Sequence, residues 1–344
     1  MSNHTFSASS VRSHTIRVVK IAQFLLAASI LCSPLIAEDW VVYEGKSGPG
    51  VGKHIVFMTG DEEYRSEEAM PMMARLLAER HGFKCTVLFA IDPKTHEINP
   101  DVQTNIPNMA ALDSADLLVL FTRFRELPDE QMKHFANYYL KGGPIIALRT
   151  ATHPFNYTRD AKSPYAKYDF RDTKWPGGFG QQVLGETWVR HHGKHKVEGT
   201  RGLVDGLNRN HPILRGVEDV YGPTDVYEVA NLPSDATVLM HGMVTTGLKP
   251  TDPPKLDKAL MPIAWVRHYL NEAGKTNRIF TTTMGASVDL LNEDLRRMIV
   301  NAAYWGLQLD VHESANVDII GDYDPIFFGF GEFEKGVKPA RYAN

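Results

Sequence analysis

The sequence predicts an α/β protein with a mostly parallel central sheet and long loops at the carboxyl ends of its strands. Three observations carry this expectation. Short, continuously apolar runs recur, among them "HIVFMT" (54–59), "DLLVLF" (116–121) and "PIIALR" (144–149). Helical patterns separate them, and unbroken apolar strands alternating with helices are what a parallel sheet covered on both faces requires. Between 151 and 225 that alternation fails, and the chain becomes rich in Gly, Pro, Asp, Arg, His and aromatic residues.

The first 37 residues stand apart from the fold. Arg12, Arg17 and Lys20 precede an apolar run, Ile21 to Leu31, which ends near the small-residue site Leu35-Ile36-Ala37. This is the layout of a secretory signal peptide cleaved after Ala37. The run is too short for a membrane span, and no later stretch is long and apolar enough for one. An exported protein, periplasmic or secreted, is therefore expected. Residues 38–52 form a linker, 53–310 one α/β domain and 311–344 a tail.

Within the domain, "HIVFMT" leads through "GDEEYRSEE" into a helical pattern that Ser66 is placed to cap and Gly82 to close. "CTVLFAI" (85–91) is the next strand. "DLLVLF" precedes a helix at about 128–141, and "PIIALR" follows it. "ATVLMHG" (236–242), "MPIAWVRH" (261–268) and "RIFTTTM" (278–284) add strands, and Asn292 can cap a last helix. The tail carries five Phe or Tyr residues between 323 and 333, a composition suited to a wrap over apolar surface.

Composition narrows the function classes. Removing the leader takes the formal net charge from −4 to −7, which offers no basic footprint for nucleic acid. Only Cys85 then remains of two cysteines, so no intrachain disulfide can form, and its place at the start of a buried strand makes it a small core residue. "SGPGVG" (47–52) precedes a strand instead of following one and is no dinucleotide fingerprint.

Ligands of open parallel sheets bind outside the strand carboxyl ends. The loops there offer Asp61, Glu62, Glu63 and Tyr64 after the first strand, Arg123 and Arg125 after the third, and Arg149 to His153 after the fourth. Arg123, Arg125 and Arg149 suit either an anionic substrate or salt bridges to the acids of the first loop. The turn after "PIIAL" is where an amidotransferase or hydrolase would place its nucleophile, but "RTATHPF" has no Cys and no Gly-x-Ser-x-Gly. His153 remains as a candidate acid or base, and Asp225 as either a turn residue or a carboxylate facing the cleft.

"ETWVRHHGKH" (186–195) places three histidines beside a tryptophan. His191, His192 and His195 suit a divalent metal, a substrate contact with proton transfer, or a solvated loop. No glutamate follows His191 in the zinc-protease sense, and Arg190, Lys194 and Lys196 work against a bound cation. Trp188 offers an aromatic face for the C–H side of a sugar ring or an anchor for its loop.

"GGFGQQVLGETWVRHHGKH", "NHPILRGVEDVYGPTDVYEV", "MPIAWVRHY", "RIFTTTMGASVDLLNEDLRRMIVNAAYWGL" and "FGFGEFEKGVKP" together resemble the trehalose-utilisation, or ThuA-like, family over about residues 52–310. The resemblance implies a flavodoxin-like three-layer sandwich similar to class I glutamine amidotransferases, without their catalytic Cys, here at Thr150. Many members carry a Gly-His pair where this chain has Gly285-Ala286, and a His-Gly where it has Arg149-Thr150. The resemblance further implies carbohydrate metabolism through 3-keto sugars beside a sugar oxidoreductase, in an exported subgroup.

Three functions fit. One is acid/base chemistry on a 3-keto disaccharide or glycoside, with His153, His192 and Asp225 catalytic and Asp61, Glu62, Tyr64, Arg123, Arg125, Arg149, Trp188 and His191 binding substrate. The second is a sugar-binding protein without catalysis. The third is a metal-dependent hydrolase using His191, His192 or His195 with Asp225.

Overall fold

Successive residues of the strand His54–Gly60 (β2) face opposite cores: Ile55 and Phe57 join one apolar cluster, Val56 and Met58 the other. All four are fully buried, which is why the run is apolar without alternation. The protein is described by a computed structural model over residues 38–343, and the leader expected over 1–37 lies outside the described residues.

The remaining elements are β1 (Trp40–Tyr43), α1 (Ser66–His81), β3 (Lys84–Leu88), β4 (Leu117–Thr122), α2 (Asp129–Leu140), β5 (Ile145–Leu148), β6 (Thr200–Val204), β7 (Tyr221–Gly222), β8 (Thr237–Val244), β9 (Met261–Leu270), β10 (Thr276–Thr282) and α3 (Glu293–Gly306). The strands form one sheet in the order β1-β3-β2-β4-β5-β10-β9-β8-β6-β7. α1 and α3 cover one face with the cluster around Phe57 and Ile299, and α2 covers the other with Met132, Phe135 and Tyr139.

The expected mostly parallel sheet holds for one half only. β3, β2, β4, β5 and β10 pair in parallel, in doubly wound order, with the reversal of strand order at β2. β1 at one edge and β9, β8, β6 and β7 at the other pair antiparallel, so antiparallel pairings outnumber parallel ones five to four. The reason is loop length. Only Asn271 to Lys275 separates β9 from β10, and a parallel crossover needs a dozen residues or more.

Helix ends follow the expected chemistry with one exception. Gly82, at φ 83°, closes α1, and Asn292 caps α3 by accepting the Leu295 N–H at 2.8 Å. Ser66 does not cap α1: it is the first helical residue, and its hydroxyl accepts the Gly60 N–H at 3.1 Å. The residue before it, Arg65, holds a left-handed conformation at φ 59°.

Candidate functional site

The carboxyl ends of β2, β4, β5 and β10 bring their loops together. Asp61 accepts the Glu63 N–H at 2.7 Å and the Tyr64 N–H, and its other oxygen accepts the Thr150 hydroxyl. Ser287 N–H donates to Tyr64 O at 3.1 Å. Three non-glycine residues at these ends, Arg65, Phe124 and Arg149, have positive φ. Such strain persists only where the surroundings over-determine it, and it concentrates at working sites.

The sharp turn after β5 is centred on Arg149, at φ 47°, and not on Thr150. Its buried guanidinium lies between the rings of Tyr64 and Tyr227, at 4.4 and 3.8 Å. It donates to the carbonyls of Asp225 and Thr283 at 2.8 Å each, and to the Tyr64 hydroxyl at 3.1 Å. At 3.3 Å from Asp225 Oδ1 it also neutralises that carboxylate. Where the fold offers a nucleophile's position, this chain has a cation that builds the floor.

The segment 190–193 runs antiparallel to 226–228. Glu228 N–H donates to Arg190 O and His192 N–H to Val226 O, at 2.9 Å each, and His191 bridges Tyr227. Neighbouring residues of an extended segment face opposite sides. His191 therefore points inward and His192 outward, where its Nε2 meets Ala259 O at 2.8 Å. Gly193 permits the close crossing, since a Cβ there would lie 3.1 Å from the Asp225 Cβ. A turn at Lys194–Glu198 then swings His195 back toward the same carboxylate.

The result is a cluster of two imidazoles and two carboxylates. His191 Nδ1 lies 2.7 Å from Asp225 Oδ2, His195 Nδ1 lies 3.0 Å from Asp225 Oδ1, and His195 Nε2 lies 2.9 Å from Glu63 Oε1. Burial works to raise Asp225, but the hydrogen bonds from His191 and His195 and the charge of Arg149 outweigh it and hold the carboxyl below the usual range. Asp225 is thus an ionised acceptor, and both Nδ1 atoms carry protons. His195, hydrogen-bonded to Asp225 and then Glu63, has its pKa raised to about 9 and is an imidazolium at neutral pH. His191 is anchored to Asp225 through Nδ1, which leaves Nε2 outside that hydrogen bond.

The other residues singled out in the sequence fall into two groups. Tyr64, Arg125 and Glu62 are buried within the protein's own contacts: Arg125 donates to the carbonyls of Pro100 and Val102 and pairs with Glu62. Trp188 and Arg123 are partly exposed at the rim, and His153 is buried against Phe124 and Trp188. Burial, then the charges of Arg123, Arg149 and His191, hold the His153 imidazole well below its ordinary value, so it is neutral. One atom each of His191, His195 and Asp225 lies within 4.8 Å of the others, so among the described residues these three, without His192, are the set that could share a cation.

Two contributors had no role assigned from the sequence. Glu63 was named with the other acids of its loop, but those acids look alike in sequence. Phe328 of the tail stacks on Tyr64 at 5.2 Å and meets His195 edge-on at 5.5 Å. The aromatic composition of 323–333 was its only signal.

Fold and site together define a doubly wound α/β protein whose strand-end loops carry a histidine–carboxylate cluster in place of a nucleophile. Its sequence matches the family model for trehalose utilisation, ThuA, over residues 54–306, and the chain belongs to that family. Among solved structures it is similar to a ThuA-like protein of Parabacteroides merdae, with 12% identity and a TM-score of 0.48 over 81% of this chain and 98% of the other. It is also similar to one from Bacteroides uniformis, with 13% identity and a TM-score of 0.46 over 76% and 94%. No curated protein matches the chain.

Proposed function

We propose that this protein is an exported enzyme of carbohydrate metabolism that acts by acid/base chemistry on a 3-keto disaccharide or glycoside supplied by a sugar oxidoreductase. The observation that carries this reading is the convergence of His191 and His195 on the ionised Asp225, with Glu63 on the far nitrogen of His195. Family membership supports the carbohydrate class. The layout of residues 1–37 is the basis for export.

A ketone acidifies the neighbouring C–H. His191 Nε2 takes that proton, with Asp225 fixing the ring's tautomer as a carboxylate orients a catalytic imidazole elsewhere. The electron pair then expels the glycosidic oxygen, which recovers a proton from His191, so the elimination balances without a nucleophile or an added redox partner. His195, held between two carboxylates, keeps Asp225 in place.

Turnover of a 3-keto disaccharide by the chain beginning at residue 38 tests the reading. His191→Ala is expected to lower it about 100-fold or more, with little change in melting temperature because that side chain is 35% exposed. His192→Ala should retain activity, because its ring faces Ala259. An active His191→Ala variant would remove the cluster from the reaction.

A second reading is favoured by the same geometry: His191, His195 and Asp225 as ligands of a divalent metal in a hydrolase. Plasma mass spectrometry of untagged protein separates the two. Stoichiometric metal that disappears in His191→Ala and His195→Ala would establish ligation.

A further inference from the structure

The rim of the site is a closed circuit of ring contacts. From Phe328 it runs to His195 (5.5 Å), His191 (4.7 Å), Trp188 (5.7 Å), His153 (5.9 Å) and Phe124 (5.0 Å). The Arg123 guanidinium lies 4.6 Å from the Phe124 ring and 4.8 Å from that of Phe330, and the backbone through Gly329 returns to Phe328. Tyr64 and Tyr227, either side of Arg149, form the floor.

The closing arc, Phe328 to Phe330, lies outside residues 54–306, the span of the family match. Its backbone is held at Gly329. Gly329 N–H donates to Glu63 O at 2.8 Å, and the buried Arg65 guanidinium donates to Gly329 O. Phe328 is 1% exposed, whereas Phe330 is 58% exposed and Phe327 43%. An exposed aromatic face held beside a guanidinium at the mouth of a polar site is a binding surface, since aromatic faces with a few fixed polar groups are what ligand pockets are lined with.

We propose that Phe330, with Arg123, forms a second sugar subsite, and that the ligand is therefore a disaccharide or larger glycoside. This rests on the carbohydrate reading above and names the extent of its substrate. Along the circuit His195 and Phe328 separate His191 from Phe330 on one side, and Trp188, His153, Phe124 and Arg123 on the other, so a ring placed for proton transfer at His191 leaves Phe330 for its neighbour. The non-reacting ring lays its C–H face on Phe330 and directs hydroxyls to Arg123. The reacting ring lies toward Trp188 and His191.

Calorimetric titration of the chain beginning at residue 38 with trehalose, maltose, cellobiose and glucose tests this, using wild type and Phe330→Ala. Because Phe330 is exposed, the variant is expected to fold with an unchanged melting temperature. The expected result is binding of at least one disaccharide by wild type, weakened tenfold or more in Phe330→Ala, with glucose changed less than twofold. Equal disaccharide binding by both proteins would overturn the second subsite while leaving the carbohydrate reading intact. Binding of no sugar by wild type would overturn the second subsite, and the carbohydrate reading falls with it if the 3-keto disaccharide is not turned over either. Arg123→Lys distinguishes the planar guanidinium from simple charge, and disaccharide affinity equal to wild type in that variant would exclude Arg123 from the subsite.

Discussion

At the scale of single residues, the site's charges make the fold pH-dependent in opposite senses. His195 has a folded pKa raised from 6.5 to about 9. The fold therefore favours its charged form, and the stability this contributes is complete below pH 6.5 and is lost as pH rises through 9. The melting-temperature gap between wild type and His195→Ala should accordingly be widest near pH 6 and close by pH 10; a gap constant across that range would contradict an imidazolium held by Asp225 and Glu63. Asp225, held below 3.8, contributes stability above that pH and loses it in acid. Glu67 runs the other way from a usual carboxylate. Burial outweighs the opposing charge of Arg65 and lifts its pKa from 4.5 to about 8, so the folded protein loses stability as pH rises from 4.5 through 8. Glu67→Gln should raise the melting temperature at pH 9 and leave it unchanged at pH 4; no gain at pH 9 would mean that Glu67 is ionised at little cost.

At the scale of elements, the loop after β2 is joined to the tail through Arg65. Its guanidinium donates to the carbonyls of Glu62, Glu63 and Gly329. Arg65→Ala is expected to speed amide hydrogen exchange across 326–330 while α1 keeps its protection, and unchanged exchange there would show that Phe328 alone seats the tail. Most elements were legible in the sequence because each signal is local: apolar runs for the parallel strands, Gly82 and Asn292 for helix ends. The antiparallel hairpin of β9 and β10 was not read from the sequence, although only five residues separate the two strands. Nor was β6: its burial pattern mixes buried and half-exposed positions, and it sits in a stretch without alternation. The facing of His191 and His192 was equally hidden, because it depends on pairing with residues 226–228.

At the scale of the whole molecule, the domain is finished by segments outside the family span. β1 pairs with β3 and covers that edge, and Tyr43 donates its hydroxyl to Tyr342 O at 2.5 Å. Val311, Val317 and Phe328 are buried in the core beneath α1 and α3. Ending the chain at residue 310 removes these three side chains, worth about 5 kcal/mol by apolar burial. That corresponds to a melting-temperature drop of about 8 °C. A truncated chain that melts with wild type would show the tail to be an appendage. A 350 Å³ cavity lies beneath this wrap, lined by Glu68, Arg75, Asp324 and Tyr342, on the helix side and away from the histidine cluster.

The sequence by itself determined the α/β class, the strand-end loops as the candidate place of the site, the lack of a Cys or Gly-x-Ser-x-Gly at the turn after β5, and the resemblance to the family that the domain match then established. Those properties follow from local apolar patterning and residue identity, which do not depend on distant partners. Only the tertiary structure decided that half the sheet is antiparallel, that Arg149 occupies the sharp turn, that Asp225 receives His191 and His195 but not His192, and that Phe328 and Phe330 close the rim. The site contacts join segments far apart in the chain, from 30 residues between Asp225 and His195 to 264 between Arg65 and Gly329. Contacts at that separation are set by how the sheet stacks its loops, and no local pattern encodes them.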